Sequence, residues 1–315
     1  MATHSVNWRA DVGDAALLDA ALLLQAEPTN GLPSTTSGQA YDRGTLLPLT
    51  SLAEHEHSDD QSTADPRIAV ALRLIAEARS EGVALKLLGG IGCWLHIVDE
   101  GAQALPFKRD YHDIDLVVPR KQRRAVHGIL TSSGLEPLES FNAVQGETRL
   151  MFADPHTECV VDVFLGVFSM CHEVTLDDDA FRPPEHPSLD VVELSLTKLQ
   201  VVECNDKDLK DVAGLLAFHD LGEGPETVDA VRLARRLAQD WGLWRTVTEN
   251  LDRLLRYAEP LPAHAPVIVE RVKRLRDAID AAPKSMRWRA RARVGDRMAW
   301  YQRPDEPETE FFEVR

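Results

Sequence analysis

Hydrophobic positions change spacing along the chain, and the changes mark its elements. Behind Asp65 and Pro66, a carboxylate cap followed by a proline in the first turn, Ile68, Ala71, Leu72, Leu74, Ile75 and Ala78 recur at helical spacing. Val83 to Leu88 then reads as a buried strand, Gly89 and Gly90 as a turn, and Ile91 to Val98 as a helix, followed by a polar connection from Asp99 to His112. A second strand, Asp113 to Val118, stops at Pro119, and Arg120 to Ser133 is predicted helical with Gly134 closing it. Further strands are predicted around Ala143 and Val144, over Thr148 to Ala153, and over Val160 to Phe164. After Pro187 the periodic segments are helical. Val231, Ala234, Leu237, Ala238 and Trp241 share one helix face, and Ile268, Val272, Leu275 and Ile279 another. The expected fold class is α+β, a small mixed sheet with flanking helices over 65–186 and a helical domain over 187–283.

Composition adds the ends. Residues 1–64 carry Arg9 and Arg43 against nine acidic side chains, with Pro, Ser, Thr and Gly gathered between Pro28 and Thr63, as in a mobile acidic arm. One helix, Ala15 to Leu24, is predicted within it. Residues 284–315 form a basic stretch and an acidic tail. The formal charge of −16 repels nucleic acid over most of the surface, so a polyanionic partner would need a local basic patch. Lys284 to Arg303 offers one, with seven basic residues against Asp296 and with Trp288, Trp300 and Tyr301 interleaved; it would either contact RNA or, the favoured reading, pack on the acidic body of its own chain. No apolar stretch reaches the roughly 20 residues of a membrane span, and Met1 to Ala10 lacks the features of a secretion signal, so a cytoplasmic location is expected. Cys93, Cys159, Cys171 and Cys204 have neither disulfide-framework nor zinc-ligand spacing and read as buried thiols.

Chemistry concentrates in Asp113-Ile114-Asp115. Alternate residues of a strand share a face, so these carboxylates project together about 7 Å apart, where they repel each other unless a cation neutralises them. Hard oxygen ligands suit Mg²⁺ and, through it, a nucleoside triphosphate. Alone, the motif reads first as the exposed mouth of an ordinary strand. Gly89 and Gly90, between a strand and a helix, allow close backbone approach to a phosphate, though an ordinary turn needs them too. Asp162 interrupts the apolar strand Val160-Val161-Asp162-Val163-Phe164; it lies at a strand end, pairs with a cation, binds a metal or acts as a base.

Gly-Gly, an Asp-x-Asp strand and a later lone strand acid, over roughly Leu85 to Phe164, resemble the nucleotidyltransferase superfamily with its minimal polymerase-like core. The segment Arg109 to Leu116 looks most like aminoglycoside nucleotidyltransferases and abortive-infection-type nucleotidyltransferase toxins. That resemblance implies that Gly89 and Gly90 hold the triphosphate, that Asp113 and Asp115 bind two Mg²⁺ ions, and that Asp162 shares an ion or takes the acceptor hydroxyl's proton. The glycine-to-aspartate separation is longer than usual in those families, so Glu100 to Phe107 must loop out. Toxin-type members also carry a helical lysine that reaches the phosphates and a basic-Asp-x-x-Asp element, positions matched by Lys198 and by Lys207 to Asp211, with Asp211 as the second acid. Lys198 is otherwise a solvated helix lysine, and Asp208 and Asp211 are otherwise acids favoured near a helix start. The implied activity is Mg²⁺-dependent transfer of a nucleoside monophosphate from an NTP to a hydroxyl on tRNA, a protein or a small molecule. For a toxin, an antitoxin would be a partner. An antibiotic-modifying enzyme and a noncatalytic nucleotide-binding protein are the alternatives. His55 and His57, alternating with Glu54 and Glu56, read either as a loose metal site or as solvated residues of the arm.

Overall fold

The structure, a computed structural model, describes residues 65–181, 185–224 and 226–303. The acidic arm with its helix, His55 and His57, and the acidic tail from 304 onward lie outside these residues. Helix α1 (Pro66–Ser80) starts as expected, Asp65 accepting a hydrogen bond from the Arg67 N–H at 3.0 Å. Its buried stripe of Ile68, Ala71, Leu72, Leu74, Ile75 and Ala78 packs across β1 (Lys86–Leu87) and β2 (Asp113–Val118). The first strand is much shorter than the predicted Val83 to Leu88. The Val83 N–H still caps α1 through the Ala78 carbonyl (2.8 Å), so only two residues are left to pair with β2. Lys86 is buried in that strand, and desolvation, aided by the Arg79 charge, lowers its amine to about 7.

Helix α2 (Gly89–Leu95) begins at the glycines themselves rather than after them. The connection to β2 folds into two 3-10 turns, Val98–Gln103 and Leu105–Phe107, and Phe107 is buried against Phe218 and His264. Glu100 to Phe107 is thus looped out. Helix α3 (Arg123–Ser132) ends before Gly134, which takes a φ of 90°. A five-stranded sheet is completed by β3 (Glu136–Pro137), β4 (Arg149–Asp154) and β5 (Cys159–Leu165), in the order β1-β2-β5-β4-β3, with only β2 and β5 parallel. The strand expected around Ala143 and Val144 is instead helix α4 (Glu139–Gln145). Val144 faces solvent there, while the Asn142 amide donates to the Met151 carbonyl (3.0 Å) and accepts from its N–H (2.7 Å), standing in for a strand neighbour of β4. A hairpin of β6 (Val167–Ser169) and β7 (Glu173–Thr175) was not foreseen.

The helical half comprises α5 (Val191–Leu199), α6 (Asp206–Phe218), α7 (Ala230–Leu237), α8 (Trp241–Ala258), α9 (Ala265–Ala281) and α10 (Met286–Val294). The stripe predicted to run from Val231 to Trp241 is broken. Val231 is exposed, α7 stops at Leu237, and Asp240 caps a new helix by accepting from the Leu243 N–H at 3.0 Å. The stripe from Ile268 to Ile279 is buried as expected. Helix α10 packs on α8 through its aromatic and basic side chains. Trp288 meets Trp244 at 5.1 Å, and Arg291 lies over Trp241 at 4.7 Å, so this stretch packs on its own chain. Among the described residues no helix is long and apolar enough to cross a membrane.

Glu193 of α5 is completely buried and pairs with Arg236 at 2.7 Å, with Arg232 at 3.9 Å, yet burial outweighs both arginines and raises its carboxyl to about 7. Above pH 7, where the Glu193 carboxyl is ionised, Arg236→Leu is expected to cost roughly 3 kcal/mol in urea unfolding, since a buried charge loses its nearest partner. Adding Glu193→Gln to that variant should return most of the loss.

Candidate active-site cleft

Strand register decides where the acids go. Asp115 on β2 is the direct neighbour of Asp162 on β5, and Asp113 pairs with Val160 two positions earlier. The parallel pairing and the two-residue period place all three carboxylates on one face of the sheet. They line a cleft of about 950 Å³ together with Gly89, Arg149, Lys198, Glu203, Asp208 and Arg303. Asp113 is exposed at its mouth, Asp115 is partly buried, and Asp162 is buried. Burial, then the charges of Asp113 and Asp162, push the Asp115 carboxyl well above the usual carboxylate range.

Gly89 is what lets this crowding exist. Its φ of 67° is left-handed, and a Cβ there would collide with the Asp115 carboxylate. The Leu88 N–H donates to the Asp115 carbonyl at 3.0 Å, fixing the glycine turn against the Asp-x-Asp strand. Gly82 supplies a control, with a φ of 70° and open space where its Cβ would stand. Gly89→Ala should cost clearly more than the roughly 1–2 kcal/mol of left-handed strain expected for Gly82→Ala. Chemical denaturation of the two variants measures the difference. Gly90 is not a wall of the cleft. A Cβ on it would collide with the Arg109 guanidinium, which is held in a bidentate bond to Asp211 (both contacts 2.9 Å) and lies over Tyr111.

Lys198, near the end of α5, reaches into the cleft and pairs with Asp208 (3.1 Å) and Asp211 (3.0 Å). Burial alone would lower its pKa, but the Asp211 and Asp208 charges outweigh burial and raise it, so the ammonium is permanently charged. Asp211 itself stands behind the cleft. Burial would raise its carboxyl, and Lys198 and Arg109 together hold it below the ordinary range. Its position is that of an anchor for two cations.

Arg149 is the cleft residue that sequence reading missed. From β4 its Nε donates to both oxygens of Asp162 (2.8 and 2.9 Å), its Nη2 adds a third contact, and its guanidinium lies over Phe164 at 4.9 Å. Burial raises the Asp162 carboxyl and Arg149 opposes that, with the net shift upward. The signal was present only in three dimensions, because Arg149 and Asp162 sit on neighbouring antiparallel strands, diagonal to each other.

Comparison with known proteins adds little to this geometry. No protein-family model matches the chain, and no curated protein matches it. Among solved structures, the solution structure of the antibiotic-resistance factor ANT(2'')-Ia is similar over 48% of this chain and 83% of its own, at 14% identity and a TM-score of 0.32.

The donor set can be tested against a divalent cation. Asp113 and Asp115 offer hard oxygens on one face, the donor type that suits Mg²⁺, and a cation there would oppose the burial and the Asp113 and Asp162 charges that raise the Asp115 carboxyl. Asp162 differs, since Arg149 occupies both of its oxygens. Among the described residues, the three carboxylates are not gathered within 4.8 Å of one another.

Proposed function

We propose that this cleft binds a nucleoside triphosphate with Mg²⁺ and transfers the nucleoside monophosphate to a hydroxyl group. The observation that carries the reading is the register of β2 on β5, which puts Asp113, Asp115 and Asp162 on one face beside Lys198. In the proposed reaction the acceptor oxygen attacks the α-phosphorus, the bond from that phosphorus to the bridging oxygen breaks, and pyrophosphate leaves. Asp113 and Asp115 would hold the metal, which when bound neutralises phosphate charge and acidifies the acceptor hydroxyl. Asp162 would accept the hydroxyl proton, which requires Arg149 to turn from it towards the phosphates. Lys198 would stabilise charge on the departing pyrophosphate, and the Gly89 turn would let the triphosphate approach the strand end.

Acidic walls at Asp113, Glu203 and Asp208 favour a cationic acceptor, such as an aminoglycoside, over a polyanion such as tRNA. The Arg149 clamp on Asp162 is the feature that favours a noncatalytic nucleotide-binding protein instead. Incubation with each labelled NTP, Mg²⁺ and panels of aminoglycosides, RNA and protein separates these readings. Asp113→Asn and Asp162→Asn should each lower labelling by about 10³. Labelling equal to wild type in both variants would refute the assignment, and nucleotide binding without pyrophosphate release would support the noncatalytic reading.

A further inference from the structure

The lining of the acidic cleft carries two chemistries. Asp113, Asp115, Asp162 and Lys198 are assigned to metal, proton and phosphates, while Phe168, Met170, Val201, Val202 and Tyr301 take no part in that machinery. Tyr301 reaches the cleft from the other end of the described chain. With Arg303 it belongs to a strap, residues 298–303, that follows α10 and a closing 3-10 turn, Gly295–Arg297.

The strap is fastened along its length. Arg291 of α10 donates to the carbonyls of Gly295 (2.7 Å), Met298 (2.8 Å) and Ala299 (3.2 Å). The Trp300 indole N–H donates to the Thr246 hydroxyl on α8 at 3.2 Å, and its ring meets Trp241 edge-on at 6.5 Å and the Arg245 guanidinium at 5.7 Å. Gly242, in the first turn of α8, makes room for this approach, since a Cβ there would collide with the Trp300 carbonyl oxygen. On the other side of Tyr301, the Gln302 N–H donates to the Cys171 carbonyl at 3.0 Å and its side-chain amide to the Ser169 hydroxyl at 3.1 Å, both on the β6–β7 hairpin. Tyr301 is thus held between two anchored neighbours, its ring 5.4 Å from that of Trp300. The two adjacent aromatics of the basic stretch divide their work: Trp300 anchors the strap, and Tyr301 lines the cleft.

Three aromatic side chains belong to the lining. Phe164 and Phe168 are buried and pack on each other at 4.6 Å, with Arg149 over Phe164, whereas Tyr301 keeps accessible surface. A nucleoside triphosphate has one flat, uncharged part, its base, and a base stacks on an aromatic ring whichever base it is. The triphosphate is matched by Lys198 and the metal. A cationic acceptor is drawn to the charges of Glu203 and Asp208 rather than to an apolar wall. The base is the part of the two substrates that suits the apolar wall.

We infer that Tyr301 stacks on the nucleobase of the bound triphosphate, so that the strap after α10 supplies the base-binding wall of a cleft whose phosphate end is built by the sheet. The inference rests on the nucleotide reading of the cleft and adds to it the residue that holds the base. Stacking without matched hydrogen-bonding groups tolerates every base, so the site is expected to prefer nucleotides to inorganic triphosphate more strongly than one base to another.

The test is calorimetric titration of the full chain with each NTP and, separately, with inorganic tripolyphosphate, all with Mg²⁺ and without acceptor. Wild type should bind the NTPs more tightly than tripolyphosphate. Tyr301→Ala should weaken the NTPs by about 10- to 100-fold and leave tripolyphosphate unchanged, and Tyr301→Phe, which keeps the ring, should restore most of the lost affinity. Melting temperatures confirm that the variants are folded. NTP binding that survives Tyr301→Ala undiminished, or an equal loss for NTP and tripolyphosphate, would overturn the inference while leaving the nucleotide reading intact. Wild type that binds neither ligand would overturn both.

Discussion

Asp115→Asn is expected to remove nucleotidyl transfer, by about 10³ or more, while making the metal-free protein more stable. Asp115 is pressed against Gly89, opposite Asp162 and two residues from Asp113, so its charge is both desolvated and repelled. Among the described residues no cation pairs with it directly: Arg149 bonds Asp162, and Lys198 bonds Asp208 and Asp211. An amide of the same shape relieves the repulsion. The gain should be on the order of 1 kcal/mol, or roughly 2–4 °C in melting temperature. Mg²⁺ should raise the melting temperature of wild type and leave that of the variant nearly unchanged. Thermal melts with and without MgCl₂, beside a pyrophosphate-release assay, measure both effects. A variant that melts below wild type in the absence of metal would show that Asp115 is a structural acid.

Periodicity was sufficient to find β2, β5, α1 and α9, because each of them buries a stripe whose spacing is visible in one dimension, whereas it did not find α8. It failed at Ala143 and Val144, where an apolar pair on an exposed helix imitates a strand and where the side chain of Asn142 replaces a neighbouring peptide. It also failed at the break between Leu237 and Trp241, where the cap at Asp240 overrides a continuous stripe. For the cleft, residue types and spacing located the three aspartates, and the β2–β5 register, a long-range property, placed them on one face. The counter-charges were hidden. Nothing local marks Arg149 as the partner of Asp162, or Arg109 as the partner of Asp211, 102 residues away.

Lys198→Met separates the two jobs that the structure assigns to one lysine neighbourhood, holding the helices and facing the cleft. Among the described residues, removing the ammonium leaves Asp211 with Arg109 as its one remaining cation and leaves Asp208 with none of its present ion pairs. The expected cost is about 3 kcal/mol of stability, as for other buried pairs broken on one side. If Lys198 also stabilises pyrophosphate, kcat should fall by about 10²–10³ under conditions where the variant is still folded. Adding Asp208→Asn removes the stranded charge and should recover much of the stability while leaving turnover low. Denaturant unfolding and single-turnover kinetics on the pair of variants decide between the roles. Recovery of both stability and turnover in the double variant would reduce Lys198 to a tie between α5 and α6, whereas recovery of stability alone places its charge at the leaving group.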